Sequence, residues 1–213
     1  VFCLARTRKI FLQFQCSHDL LERSSNHRGG FVKLTITALL LTAILSGQGP
    51  VKVTKVAGPE KALLFAVTLP ASQDAVWTAF TTSEGLSTWL TPHAVVDLRV
   101  GGEWTAHFPG GGTGGGNVLS FTPKHTLVMS AMAPETFPHV RAERTTAVWE
   151  FTAIDANTTQ LTLKQTGWKQ GEEWDKAYDY LASGNAQLLQ VLQRRFANGP
   201  IDWAKEWGPD AVK

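Results

Sequence analysis

Apolar and polar positions change their spacing repeatedly between Lys61 and Phe196, and each change marks a class of element. "KALLFAVTLP" (Lys61–Pro70) is a β-prone run closed by a proline, so a strand is expected to open the body. Ser72 then offers an N-cap, Asp74 an acidic first turn, and Ala75, Val76, Ala79 and Phe80 a helical stripe. A second short helix is expected after the capping-box pattern Thr81-x-x-Glu84, through Leu86, Trp89 and Leu90, with Thr91-Pro92 as its stop. From His93 to Lys164 the pattern becomes that of strands: "AVVDLRV", "GEWTAHF", "NVLSFT", "HTLVMSAM", "TAVWEFTAI" and "TQLTLKQT". Gly101-Gly102, a glycine tract, Pro123-Lys124, a longer polar connection and Asp155-Ala156-Asn157 separate them, all with turn chemistry of hairpin type, so the sheet should be an antiparallel meander. Alternation places Trp104, Ala106 and Phe108 on one face of their strand, and Trp149 and Phe151 on one face of theirs.

Helical spacing returns at Trp174, Tyr178, Leu181, Asn185, Leu188, Leu192 and Phe196, and Asn198-Gly199-Pro200 reads as the stop. Gly184, inside this helix, is expected to mark a close backbone approach or a kink. The predicted class is α+β: one curved antiparallel sheet of about six or seven strands, two short helices after the first strand, and a long C-terminal helix packed on the sheet. This body spans residues 61–199, after a linker at 50–60 and before a tail at 200–213. In the tail, Trp203 and Trp207 stand four apart on a short helix and are expected to pack back on the domain, with a partner-binding patch as the alternative.

The tract "FPGGGTGGGNVLSF" contains a literal G-x-G-x-x-G at Gly110, Gly112 and Gly115. A dinucleotide fingerprint needs a helix N-terminus after the glycines, whereas here "VLSF" reads as strand and no Walker lysine follows. The tract is therefore expected to be a flexible hairpin loop, with a cavity mouth or mobile lid as a secondary reading.

Charge alters the picture at one end. The chain of 213 residues has a net charge of +2, but residues 1–33 alone carry six Lys/Arg against Asp19 and Glu22, a net of +4 that leaves the rest at −2. Such a body has no basic footprint for phosphates, and nucleic acid is not an expected partner. Both cysteines, Cys3 and Cys16, lie in the leader, which excludes disulfides and cysteine metal sites from the body. Lys33 followed by the apolar run Leu34–Leu45 and then Ser46-Gly47-Gln48-Gly49-Pro50 has the layout of a secretory signal, and falls short of the roughly 20 apolar residues of a membrane span. Residues 32–49 are thus read as a signal peptide, and the expected location is periplasmic or secreted. Leu45, three residues before a cut after Gly47, fits the cleavage pattern poorly, so a tether through an uncleaved segment is the alternative. Gln48 stands where a lipoprotein box would carry cysteine, and no lipid is expected. Residues 1–31 read as a non-native or disordered extension, with translation starting at Val32.

Conventional catalytic motifs are missing from this pattern. His93, His107, His125 and His139 are scattered without metal-ligand spacing, and no G-x-S-x-G elbow occurs. Neither a metal nor a cofactor is expected. Asp97 and Arg99, near Glu103, read as a solvated cross-strand ion pair. If their face lined a cavity, Asp97, Arg99 or His107 could orient a polar ligand group or move a proton.

"LPASQDAVWTAFTTSEGLSTWLTP", "VDLRVGGEWTAHF", "GNVLSFTPKHTLVMS", "TQLTLKQTGW" and "DYLASGNAQLLQVLQ" together resemble, in order and spacing, the START-like SRPBCC superfamily. Within it they are most similar to the homologues of the activator of heat-shock protein 90 ATPase. The resemblance covers about Lys61–Phe196, and its specificity lies in Val76, Trp77, Trp89, "DLRVGG" and Gly167. It implies a helix-grip fold with an apolar cavity between sheet and helix, and binding of a ligand or a protein, with no ligand assigned. The aromatic residues Trp89, Trp104, Phe108, Trp149, Phe151 and Tyr180 are candidates for lining that cavity, against the simpler reading that they fill the core. The expected function is an exported single-domain protein that binds a hydrophobic or amphipathic small molecule. The alternatives are a cofactor-free cyclase or hydrolase and a protein-interaction domain related to co-chaperones. Co-chaperone activity itself is not expected of an exported chain.

Overall fold

A computed structural model describes residues 49–212, so the readings of the extension at 1–31 and of nearly all the signal segment lie outside the described residues. The elements run β1 (Lys52–Val56), β2 (Ala62–Leu69), α1 (Gln73–Thr81), α2 (Ser83–Ser87), β3 (His93–Val96), β4 (Glu103–His107), β5 (Thr113–Thr122) and β6 (Thr126–Ala131). They continue with α3 (Pro138–Glu143), β7 (Thr145–Asp155), β8 (Thr158–Thr166), α4 (Glu172–Asn198) and α5 (Trp203–Trp207). The sheet is antiparallel throughout, in the order β1-β2-β8-β7-β6-β5-β4-β3. From β3 to β8 it is the expected meander. Pairing of β2 with β8 then brings the two ends of the body together, from Leu63↔Gln165 to Leu69↔Thr159.

Eight strands form, against the six or seven expected, because the segment read as a linker contains β1. "KVTKV" is mostly exposed and buries little, so its sequence carries a faint strand signal; its order comes from pairing with β2, Lys52↔Ala66 to Val56↔Ala62. The connection before β7 also differs from expectation, since it contains α3. No side chain caps this helix locally, but Glu173 at the start of α4 accepts hydrogen bonds from the amides of His139 (2.8 Å) and Val140 (3.1 Å). A cap supplied from 34 residues away leaves no local signature. The cap of α2 is Thr82 rather than Thr81: Thr82 Oγ1 accepts from the Gly85 amide (2.9 Å), while Thr81 donates back to Trp77 O within α1 (2.8 Å).

The glycine tract is only partly a loop. Phe108 to Gly112 make the turn, and Gly114, Gly115 and Gly116 are paired strand residues opposite Ala106, Thr105 and Trp104. A Cβ on Gly115 would stand 2.0 Å from Trp104 O, and one on Gly116 only 1.7 Å from Ser130 O. These glycines permit close backbone approach within the ladder, and a strand rather than a helix follows them, as a phosphate cradle would forbid.

The inner face of the sheet is covered in two parts. α1 lies over β7 and β8, and α4 packs mainly on β1 and β2. Phe80 of α1 is fully buried, with Trp89, Trp149 and Phe151 around it at centroid distances of 5.0, 5.0 and 5.3 Å. α4 is held to the β1–β2 hairpin by Lys55–Asp179 (2.8 Å) and Lys61–Asp175 (2.6 Å), and Tyr178 Oη lies 2.8 Å from Ala62 O. The helix runs unbroken through Gly184. No backbone crowds that glycine; the nearest atom to an added Cβ would be the Tyr180 ring at 3.8 Å, so the expected close approach does not occur. The tail folds back as expected: Trp203 is buried and donates from Nε1 to Ser87 O (2.6 Å), and Ile201 N bonds Thr88 O (2.9 Å). Among the described residues no helix is long and apolar enough to cross a membrane.

Candidate functional site

A helix packed on a sheet should bury the middle of its inward face most completely. In α4 the inward sector holds Tyr178, Ala182, Asn185, Leu189 and Leu192, and all are buried except Asn185, at its centre, which is only half-buried. Leu181 and Leu188, beside it, are half-buried too. The sheet shows the same departure. Trp149 points inward from a central strand, between the buried Leu127 and Leu163, yet remains half-buried, as does Ala131 at the end of β6. Along the inward sector of α4 the two ends are thus buried, and the middle is only half-buried.

A chain of neutral polar groups crosses this region. Asn185 Nδ2 donates to Gln165 Oε1 (2.9 Å), Gln165 Nε2 donates to Thr145 Oγ1 (2.8 Å), and Thr145 Oγ1 donates to Ala131 O (3.4 Å). Gln165 and Thr145 are both buried. They are inward positions of adjacent strands, placed by the β7–β8 register, in which Gln165 lies opposite Ala147 and Thr146 opposite Thr166. Trp168 Nε1 donates to Gln165 O (3.0 Å), fixing the turn after β8. Buried polar groups of this kind are costly unless paired, and this set is paired internally while its outer member, Asn185, remains reachable. Amides and a hydroxyl can donate to and accept from a ligand hydroxyl, carbonyl or ether; none of them is a proton-transfer group near neutral pH.

Four of the six aromatic candidates gather around Phe80. Trp89, Trp149 and Phe151 surround its ring, and Trp104 donates from Nε1 to Phe80 O (2.7 Å). Trp89 Nε1 likewise reaches Ala79 O (2.9 Å), so these two indoles tie the sheet side to the end of α1. Of the four, Trp149 alone is half-buried; the other three are buried. Phe108 lies apart, edge-on to Trp207 at 6.5 Å, and Tyr180 is 39% exposed and meets Phe137 at 5.5 Å. Asn185, Gln165 and Thr145 were not singled out as a site in the sequence, since an amide in a helical stripe and two polar strand positions converge only once the β7–β8 register and the docking of α4 are set.

The polar residues considered for proton chemistry stand elsewhere. β3 ends at Val96, so Asp97 and Arg99 lie in the following turn; they pair with each other (2.6 Å), with Arg99 75% exposed. His93 and His107 oppose each other across β3–β4, both exposed, and no group of three metal-ligating side chains occurs among the described residues. His139 belongs to α3, not a loop, and its Nδ1 lies 2.6 Å from Glu173 Oε2. That hydrogen bond, with the two α3 amides, holds the Glu173 carboxyl below the usual carboxylate range despite the opposing effect of desolvation.

Comparison with known proteins places this geometry. The family described as Activator of Hsp90 ATPase homolog 1-like protein matches residues 70–197. Among solved structures, protein MLL2253 from Mesorhizobium loti superposes with a TM-score of 0.55 at 18% identity, over 66% of this chain and 99% of that one. The Aha1 dimer from Colwellia psychrerythraea gives 0.53 at 19%, over 65% and 97%, and CalU16 from Micromonospora echinospora gives 0.52 at 18%, over 78% and 94%. No curated protein matches the chain. The structural likenesses carry the fold; the family match over most of the body, joined to the eight-stranded sheet and its C-terminal helix, establishes that this chain belongs to the Activator of Hsp90 ATPase homolog 1-like family of the START-like SRPBCC superfamily.

Proposed function

We propose that the protein binds a hydrophobic or amphipathic small molecule between the inner face of the sheet and α4. Trp149 supplies the apolar floor, and the Asn185–Gln165–Thr145 chain meets one polar group of the ligand. The observation that carries this reading is that Trp149, on the inner face of β7, and Asn185, at the centre of the inward sector of α4, are only half-buried. The fold is compatible with binding or with cyclase-type chemistry. Binding is the better supported because the converging groups are neutral amides and a hydroxyl, while Asp97, Arg99 and His107 lie away from them. Export, through the apolar segment Leu34–Leu45, belongs to the same proposal.

Native mass spectrometry of protein purified from the exported fraction of its own cells tests the reading. A mass excess that disappears on denaturation is the expected result, and Asn185→Leu, which fills the gap and removes the outer amide, should lower ligand occupancy about tenfold at limiting concentration. Equal native and denatured masses, joined with no binding of apolar dyes or fatty alcohols by the purified protein, would overturn it.

A further inference from the structure

Arg144 joins α3 to β7 in a conformation that side chains rarely adopt, φ 66° and ψ 158°. That region is essentially confined to glycine, because a Cβ there crowds its own backbone. The backbone task at this corner is modest: the Arg144 amide closes α3 on Val140 O, and the chain then enters β7 at Thr145. Glycine would perform it without strain, as it does at Gly167 and Gly171. The side chain shows a second anomaly. Its Nη1 is buried and has no hydrogen-bond partner among the described residues, nor does any described carboxylate pair with it. Arg194 also has a buried unpartnered nitrogen, but its Nη1 meets Glu206 at 3.2 Å, so its charge is answered. Arg144 instead has a second cation as neighbour, and burial followed by the charge of Arg141 holds its guanidinium below the ordinary arginine value. Arg141 is itself fixed, donating from Nη1 to Ala133 O (2.7 Å) and from Nη2 to Thr113 Oγ1 (2.6 Å), with Glu135 at 4.0 Å.

A buried guanidinium nitrogen left unpaired beside another guanidinium, on a residue retained against its backbone preference, lacks one thing: negative charge. We propose that Arg144, backed by Arg141, is an oxyanion-binding residue that takes a carboxylate or phosphate at the α3–β7 corner. Thr145, next in sequence, is a member of the polar chain beneath Asn185, and the oxyanion has two candidate sources: the head of the ligand proposed above, or a free small anion. The first source rests on the cleft reading; the second does not.

Thermal unfolding of the purified protein separates them, using phosphate, acetate, decanoate and decanol against chloride at matched ionic strength, with Arg144→Gly and Arg144→Lys alongside. The expected result is a rise of several degrees with decanoate that exceeds the rise with decanol, absent in Arg144→Gly and reduced in Arg144→Lys. Arg144→Gly should itself unfold no lower than the parent when no anion is added, since it relieves the backbone. If phosphate or acetate stabilises through Arg144 while decanoate and decanol do nothing, the oxyanion site stands and the cleft reading falls. If decanoate and decanol stabilise equally in parent and Arg144→Gly, the cleft stands and this inference falls. No response to any anion beyond chloride, or a marked loss of stability in Arg144→Gly without anion, overturns the inference, since the guanidinium would then serve the fold alone.

Discussion

Single residues in this protein differ most where their chemistry is the same. Gly116 and Gly184 are both glycines within regular elements, but Gly116 has Ser130 O at 1.7 Å from the place of a Cβ, whereas Gly184 has only a tyrosine ring at 3.8 Å. Gly116→Ala must therefore push β5 from β6, and is expected to lower stability by about 3 kcal/mol or more. Gly184→Ala adds a methyl in ordinary contact and removes helix-interior glycine, for an expected gain of up to about 1 kcal/mol. Urea unfolding of the two variants checks the opposite signs. The glycine tract was legible as something other than a nucleotide site from its flanks, yet its division into a turn at Phe108–Gly112 and a strand from Thr113 was not, because the strand requirement is set by β4 and β6 and not by the tract.

At the scale of elements, α3 shows how one segment depends on another for its order. Its first amides are capped by Glu173, whose carboxylate is also bonded to His139. The Glu173 pKa is lowered in the folded protein, chiefly by the His139 hydrogen bond. A carboxyl lowered on folding contributes stability that is present above its unfolded value and lost as pH falls through the folded one. The amides of His139 and Val140 are thus expected to keep their hydrogen-exchange protection through the ordinary carboxylate range and to lose it below that range. In Glu173→Gln the protection should be weaker at neutral pH and insensitive to acid. Unchanged protection in that variant would show that α3 does not depend on the cap. The helices α1 and α4 were readable from periodicity because each carries its own apolar stripe. β1 and α3 were not, since one is an exposed edge strand ordered by β2 and the other a single capped turn and a half.

The whole molecule closes through its ends. β2 meets β8, α4 is tied to β1 and β2, and the tail returns to the end of α2 through Trp203 and Ile201. Arg195 Nε adds a bond to Thr88 Oγ1 (3.0 Å) from the same region of α4, so the tail, α4 and α2 share one junction. Trp203→Ala removes a buried indole and its hydrogen bond, which should cost about 3–5 kcal/mol. Calorimetry should show a single transition lowered by roughly 6–20 °C, at about 2–4 °C per kcal/mol for a body of this size. A separate low-temperature step, with the main transition unmoved, would show the tail to be an independent appendage. The same closure frames the candidate site: α4 is tied near its start by ion pairs at Lys55 and Lys61 and near its end by the tail junction, and between them Asn185 is half-buried.

Sequence alone determined the class of the protein. Apolar periodicity needs no partner to be visible, so the opening strand, the two short helices, the meander and the long helix could be placed along the chain, and with them the resemblance that the family match bears out. Trp104 could likewise be assigned to one face of its strand, and Trp149 and Phe151 to one face of theirs, because alternation in a strand is a local property. Tertiary structure alone decided which inward positions remain reachable. Asn185, Gln165 and Thr145 become one polar chain through strand register and helix docking, and Arg144 becomes notable through its backbone angles and a buried nitrogen without a partner. Those are relations between distant segments, and side chains of ordinary type carry no mark of them until the chain has folded.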